Sequence, residues 1–373
     1  MKIGEKHYRS IWVGEDGICV HIFDQTKFPH ALEIMTLESM TDAAVAIREM
    51  KVRGAPLIGA VGAYGLALAL RDDPSDRSLS SAFETLLNTR PTAVNLQYCL
   101  EAVYDAVKPV EESARTAVAY QRAQELCNED AELCESIGKH GLEIFRELAG
   151  KKKAGEPLRV LTHCNAGWLA TVDWGTALAP IYMAFDAGIP IHVWVDETRP
   201  RNQGAHLTAW ELGQHGVPHS VIVDNAGGHL MQHGLVDVVI VGSDRTTAKG
   251  DVCNKIGTYL KALAARDNSV PFYAALPYTT IDWRIEDGLR EIPIEERSQD
   301  EVHLFRGKTR AGQIETVRVT PLDSNAVNHG FDVTPARLVT GIITERGVCE
   351  ASREGLRSLY PEQGGQSVSP VIG

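Results

Sequence analysis

LRVLTH (158–163), IPIHVWVDE (189–197), HSVIVDN (219–225), VDVVIVGSD (236–244) and PFYAALP (271–277) are short apolar runs that recur through the second half of the chain. Between them lie helix-forming stretches such as LTAWELGQHG and KIGTYLKALAARD. Strands apolar on both faces and separated by helices build a parallel, doubly wound sheet. The run VRVTPL (317–322) and a helix over PARLVTGIITERG are expected to complete this α/β unit. The closing residues, through GGQSVSPVIG, read as a loose tail.

Upstream the pattern is different. From about residue 40 to 147 it is helical, with TDAAVAIREM starting behind a threonine cap and a long helix-forming stretch, ESARTAVAYQRAQELCNEDAELCESIGKHGLEIFREL. Residues 9–23 alternate weakly around the turn Glu15-Asp16-Gly17, as a small antiparallel sheet does. AGKKKAGEPL breaks the helical pattern, and the boundary is placed there: residues 1–150 as a mainly helical N-terminal domain, 151–373 as a Rossmann-like α/β domain. Lys151-Lys152-Lys153 reads as an exposed linker.

Composition narrows the function classes. With 373 residues, 44% of them hydrophobic, the chain is long enough for two cores. A net charge of −12 argues against a nucleic-acid partner, since phosphate backbones recruit a surplus of Lys and Arg. No run has the length of a membrane span, and MKIGEKHYRSIW has no apolar signal core. The seven cysteines are odd in number and form no CxxC pair, so neither a structural zinc site nor a disulfide framework is expected. A soluble protein of the reducing cytoplasm is the expectation.

In an open parallel sheet, ligands bind beyond the carboxyl ends of the strands. The first strand runs out into Cys164-Asn165-Ala166-Gly167 and the fourth into Ser243-Asp244-Arg245-Thr246, so a thiol and a carboxylate leave the sheet on one edge. A helix start after Cys164 would favour its thiolate; otherwise Cys164 is a buried spectator and Asp244 a helix cap. In Arg53-Gly54-Ala55-Pro56, proline marks a helix start whose free N–H groups favour an anion, with Arg53 as a fork for oxygens. Gly59, Ala63 and Ala67, spaced by four, mark a tightly packed helix face. Gly59, Gly62 and Gly65 fall inside that helix, which excludes a dinucleotide turn. His229 and His233 are four apart, but Leu230 stands where a metalloprotease has glutamate, so no metal is expected. Lys255 precedes a helix and either reaches an anionic ligand or faces water.

Over nearly its whole length the chain resembles the methylthioribose-1-phosphate isomerase family. The resemblance rests on VRGAPLIGAVGAYG (52–65), RPTAVNL (90–96), THCNAG (162–167), VDETRPRNQGAHLTAWEL (195–212), GSDRTTAKGDVCNKIGTY (242–259), IPIEERSQDEV (292–302) and FDVTPA (331–336). It implies a cytoplasmic homodimer of methionine salvage acting on a sugar 1-phosphate; from the lack of a metal cluster or dinucleotide turn in the sequence, neither metal nor cofactor is expected. It implies that Cys164 and Asp244 are the catalytic pair, and that Arg53, Gly54, Ala55, Arg90, Gln203, Asn254 and Lys255 contact phosphate and sugar. Nothing in the pattern alone selects Arg90 or Gln203. The chain departs from the family at Ala226-Gly227-Gly228, at Asn328-His329-Gly330 and at Ser243; if the first lies near the sugar's 5-substituent, a 5-deoxy sugar becomes the preferred substrate. The alternatives of the same fold are a ribose-1,5-bisphosphate isomerase, which needs a second basic cluster, and a regulatory subunit without catalysis. A thiol and a carboxylate on one edge favour the isomerase.

Overall fold

A computed structural model describes residues 1–90 and 93–365. Pro91 and Thr92 of the RPTAVNL stretch, and residues 366–373, lie outside the described residues.

The chain opens with a two-stranded ribbon, β1 (Lys2–Ile3) and β2 (Lys6–His7), then a three-stranded antiparallel sheet of β3 (Ile11–Val13), β4 (Val20–Phe23) and β5 (Ile34–Leu37). Five helices follow: α1 (Met40–Arg48), α2 (Ala55–Asp72), α3 (Asp76–Leu87), α4 (Val94–Val107) and the 39-residue α5 (Glu112–Gly150). The cap of α1 is Ser39, two residues before the expected threonine: Ser39 is extended and its side chain accepts from the Asp42 N–H, leaving Thr41 inside the helix. α2 is apolar on all sides and is enclosed by α1, α3, α4 and α5. Its glycines let the helices close in. A Cβ on Gly59 would stand 2.7 Å from Cys99 Sγ and 2.8 Å from the Asn95 carbonyl of α4.

The second half alternates strands and helices: β6 (Leu158–Thr162), α6 (Ala179–Asp186), β7 (Ile191–Asp196), α7 (Ala209–His215), β8 (His219–Ile222), α8 (Ala226–Gln232) and β9 (Val238–Val241). It continues with β10 (Arg245–Thr247), β11 (Val252–Lys255), α9 (Thr258–Asp267), β12 (Phe272–Ala275), β13 (Ile281–Asp282), α10 (Gly288–Glu291), α11 (Asp300–His303), β14 (Leu304–Lys308), β15 (Ile314–Arg318), β16 (Phe331–Thr334), β17 (Gly341–Thr344), β18 (Gly347–Cys349) and α12 (Arg353–Leu359). Seven strands form the central sheet in the order β18-β17-β12-β9-β6-β7-β8, parallel except for β18. The order reverses between β6 and β9, which makes that edge a switch point where the chain diverges on both sides. A four-stranded sheet, β13-β10-β11-β16, is built largely from the chain that follows β9.

Three expectations are corrected. The run at 317–322 contributes only to the antiparallel hairpin β14–β15, apart from the central sheet. The strand that extends the sheet is β17, inside the stretch expected as a helix; Gly341-Ile342-Ile343-Thr344 is buried throughout and β-branched at three positions, which favours a central strand, and only Ala336–Leu338 makes a 3₁₀ turn. Among the described residues the expected tail is folded: α12 is capped by Ser352, and Leu356 and Tyr360 are buried. Within the lysine run, Lys152 turns inward to Asp237 at 2.9 Å and Glu156 at 3.0 Å, while Lys151 stays exposed.

Gly59→Val is expected to cost about 1–3 kcal/mol, the usual penalty for overpacking a close helix contact. Urea denaturation checks this, with a lowered midpoint and an unchanged slope.

Candidate active site

The expected thiol and carboxylate meet in one cavity. At the end of β6 the backbone turns sharply, with Cys164 at φ +68°. That conformation is held from both sides: the Cys164 N–H donates to Thr198 Oγ1 at 2.8 Å, and its carbonyl accepts from Thr208 Oγ1 at 2.7 Å. Asp244 follows β9, its N–H donating to the Cys253 carbonyl of β11 at 2.9 Å. Both residues line one cavity between the sheet edge and the N-terminus of α2.

The start of α2 is pressed against the chain after β6. Gly54 has φ +88°, and any Cβ there would run into the backbone of Ala170. Pro56 occupies the first turn. Arg53 reaches to Asn165, donating from Nη1 to Oδ1 at 2.6 Å and from Nη2 to the carbonyl at 2.9 Å. Gly54, Ala55, Arg90, Gln203 and Lys255 line the same cavity. Asn254 does not; it faces a smaller hollow beneath, shared with Cys164 and Asp244, and its Nδ2 donates to Thr258 Oγ1 at 3.1 Å. Gln203 Oε1 is buried without a hydrogen-bond partner among the described residues, so it can accept from a sugar hydroxyl.

Electrostatics follow from burial. Burial pushes the Asp244 carboxyl up, against the pull of Lys255, Arg53 and Arg90. Burial likewise pushes Lys255 down; its ammonium donates to the Gly330 carbonyl at 2.7 Å and lies 4.5 Å from the centre of the Phe331 ring. The thiolate expected at Cys164 is corrected: burial raises this thiol, and the chain after it forms only a 3₁₀ turn, Trp168–Ala170, rather than a helix whose dipole would lower it.

Several cavity residues carried no signal of their own. Glu295, Arg297, Ile292 and Pro293 form one wall, with Arg297 bonded to Glu295 at 2.7 Å and Arg90 3.3 Å from it. They lie in IPIEERSQDEV, a stretch that marked the resemblance without a role attached. A neighbouring hollow shares Met50, Arg53 and Gln203 and carries Arg201 and Arg306, basic residues that no sequence pattern places here. Arg201 is paired with Glu301 at 2.8 Å, and Arg306 donates to the Thr26 carbonyl. His163, Asp196 and Asp224 bring three possible metal-ligand atoms together, but the Lys261 ammonium already bonds Asp196 Oδ2 at 3.1 Å and the Asp224 carbonyl. The rings of His229 and His233 lie 4.2 Å apart, and no third ligand joins them among the described residues.

Residues 51–351 match the initiation factor 2 subunit family. The chain belongs to that family. The methylthioribose-1-phosphate isomerase of Rhizobium meliloti strain 1021 is 62% identical over 363 residues, 97% of this chain and 100% of that protein. The protein of the same name from Brucella anthropi is also 62% identical, with the same coverage. Among solved structures, 5-methylthioribose 1-phosphate isomerase from Pyrococcus horikoshii superposes with a TM-score of 0.82 at 37% identity, over 96% of this chain and 97% of that one. The translation initiation factor eIF-2B subunit delta from A. fulgidus gives 0.80 at 38% identity, over 95% of this chain and 100% of that one. Within the family, the chain groups with the methylthioribose-1-phosphate isomerases.

The departures noted in the sequence fall at different depths. Ala226-Gly227-Gly228 opens α8, where Gly227 packs towards Leu161 and Lys261, and none of the three lines the cavity. Gly330 supplies the carbonyl that holds Lys255. Ser243 Oγ is 2.9 Å from Thr246 Oγ1 in the lower hollow.

Lys255 gives a test with a definite sign. Its folded pKa lies below the unfolded value of 10.5, so the unfolded chain holds the proton more tightly. The charged lysine therefore costs stability at neutral pH, a cost that fades as pH rises into that window. Lys255→Met is expected to melt at the same or a higher temperature, yet to lose roughly tenfold or more in phosphate affinity, the scale of a charge-assisted hydrogen bond. Scanning fluorimetry and calorimetric titration with inorganic phosphate check the two halves.

Proposed function

We propose that this protein isomerises 5-methylthioribose 1-phosphate to the corresponding ribulose 1-phosphate. The observation that carries the proposal is that Cys164 and Asp244 share a cavity whose other side is the N-terminus of α2 with Arg53, Gly54 and Ala55. A helix start, Arg53 and Lys255 suit the phosphate. Met50, Ile58, Ile292 and Phe331 give the same cavity an apolar surface that suits a methylthio group better than a second phosphate. A homodimer in the cytoplasm, with a helical unit over 1–150 and a catalytic unit over 151–373, belongs to the same proposal.

Phosphate on the anomeric oxygen blocks simple ring opening. Asp244, whose protonated form burial favours, gives its proton to the ring oxygen as the C1–O4 bond breaks, leaving an open-chain oxocarbenium ion at C1. Hydrogen then moves with its electron pair from C2 to C1. The C2 hydroxyl becomes a carbonyl, and its proton returns to the Asp244 carboxylate. No atom is gained or lost. The competing enediol route needs a base for the C2 proton, and a thiol raised by burial is poorly ionised for that task. Cys164 instead places a polarisable sulfur beside the developing positive charge.

NMR assays of ketose formation from a panel of sugar 1-phosphates test the proposal. Turnover of 5-methylthioribose 1-phosphate ahead of ribose 1,5-bisphosphate is the expected result; the reverse order, or no turnover, refutes it. Cys164→Ser and Asp244→Asn should each lower kcat about a hundredfold or more while leaving the protein folded. Because Asp244 acts in its protonated form, kcat/KM should fall as pH rises through its elevated pKa, and that limb should vanish in Asp244→Asn.

The hydrogen route is read by an isotope. Substrate deuterated at C2 and turned over in ordinary water should keep deuterium at C1 of the ketose. Washout to solvent would identify the enediol route.

A further inference from the structure

Glu211 is a buried acid for which the proposed reaction has no use. It lies in α7, 1% exposed, with no lysine or arginine in a salt bridge to it among the described residues. Burial pushes its carboxyl up to about 7. An acid so placed costs stability unless its oxygens are well used. They are. Oε2 accepts from the Trp168 N–H at 2.9 Å and from the Tyr182 hydroxyl at 2.7 Å, and Oε1 accepts from Asn165 Nδ2.

That last bond leads to the cavity. The same Asn165 Nδ2 also faces Thr208 Oγ1 at 3.1 Å, and that hydroxyl spends its proton on the Cys164 carbonyl, so it is an acceptor here. Two acceptors therefore fix the NH₂ side of the Asn165 amide, and its Oδ1 is turned towards Arg53 Nη1 at 2.6 Å. Were the amide reversed, an N–H would meet the guanidinium, which has donors only. The charge of Arg53 also favours the ionised form of Glu211 directly.

We infer that Glu211 is a positioning residue, which through Asn165 sets the guanidinium of Arg53 for the substrate's phosphate. The inference rests on the isomerase reading for its kinetic arm only. A carboxylate suits the position because donors approach both of its oxygens. In glutamine, one end is an NH₂ that must face either Asn165 Nδ2 or the Trp168 N–H, and the charge opposite Arg53 is gone.

The test is Glu211→Gln, with Tyr182→Phe as the control that takes one donor from the same carboxylate without touching Asn165. Glu211→Gln should raise KM for 5-methylthioribose 1-phosphate and the Kd for inorganic phosphate roughly tenfold, with kcat within about threefold of wild type. Tyr182→Phe should lower the melting temperature and leave both constants within about twofold. Asn165→Ala should reproduce the rise in KM, and adding Glu211→Gln to it should raise KM no further, because the two act in series. A folded Glu211→Gln protein with wild-type KM and phosphate affinity overturns the inference. If that variant does not fold, unchanged constants in Asn165→Ala overturn it instead. Should the wild-type protein turn over no sugar phosphate, the functional proposal fails, while the phosphate titrations still decide whether Glu211 acts through Arg53.

Discussion

Two hydrogen bonds from Arg53 to Asn165 tie the start of α2 to the carboxyl edge of the central sheet, and the cavity lies at that junction. The sheet alone presents Cys164 and Asp244 on an open edge. The helices alone present a free N-terminus on α2. Neither encloses anything. Gly54 is what permits the junction to be close, since its backbone rests against Ala170 where a side chain has no room. With the two parts in contact, the residues following β6 and β9 become the floor of a cavity and the first turn of α2 becomes its wall.

The readable part of this site follows from one geometric rule. Parallel strands end on the same edge, so Cys164 and Asp244 were expected together as soon as β6 and β9 were recognised as strands. Arg53 was legible because proline just inside a helix marks its start. Arg90 and Gln203 were not: one follows α3 in a stretch with no periodic pattern, the other opens the π-helical turn Gly204–Thr208 that leads into α7, several residues beyond the end of β7. Their placement came from resemblance alone. Glu295 and Arg297 sit in the irregular segment between α10 and α11, where sequence spacing says nothing about spatial neighbours. Glu211 was hidden for another reason. An acid between Trp210 and Leu212 on a short helix reads as its solvent face, and only the fold reveals three donors converging on it.

The errors in the fold reading share a physical cause. PARLVTGIITERG contains residues compatible with either period, and a short apolar run does not distinguish a buried strand from a buried helix. Burial on both faces within the sheet decided it in favour of β17, where Ile342 and Ile343 are fully enclosed. VRVTPL has the alternation of a strand and is one in part, but its side chains remain exposed in a hairpin, so β-propensity identified the element and not its sheet.

The same enclosure that shapes the cavity sets its chemistry. Burial shifts Asp244 up and Lys255 down, so both groups are driven towards their neutral forms. In the proposed reaction, a phosphate dianion between Arg53 and Lys255 acts on the two in complementary ways. It favours the ammonium form of Lys255 by supplying a counter-charge. It also adds negative charge near Asp244, offsetting the cations that pull this carboxyl down. Asp244 is then held protonated more firmly with substrate present than without it. In the proposed reaction that is the form required for the first step, donation to the ring oxygen. Once the proton has left, the carboxylate sits beside an oxocarbenium ion, whose positive charge favours the ionised form until the C2 hydroxyl returns the proton. The phosphate thus does more than anchor the sugar: its charge prepares the acid, and the departure of charge from C1 resets it.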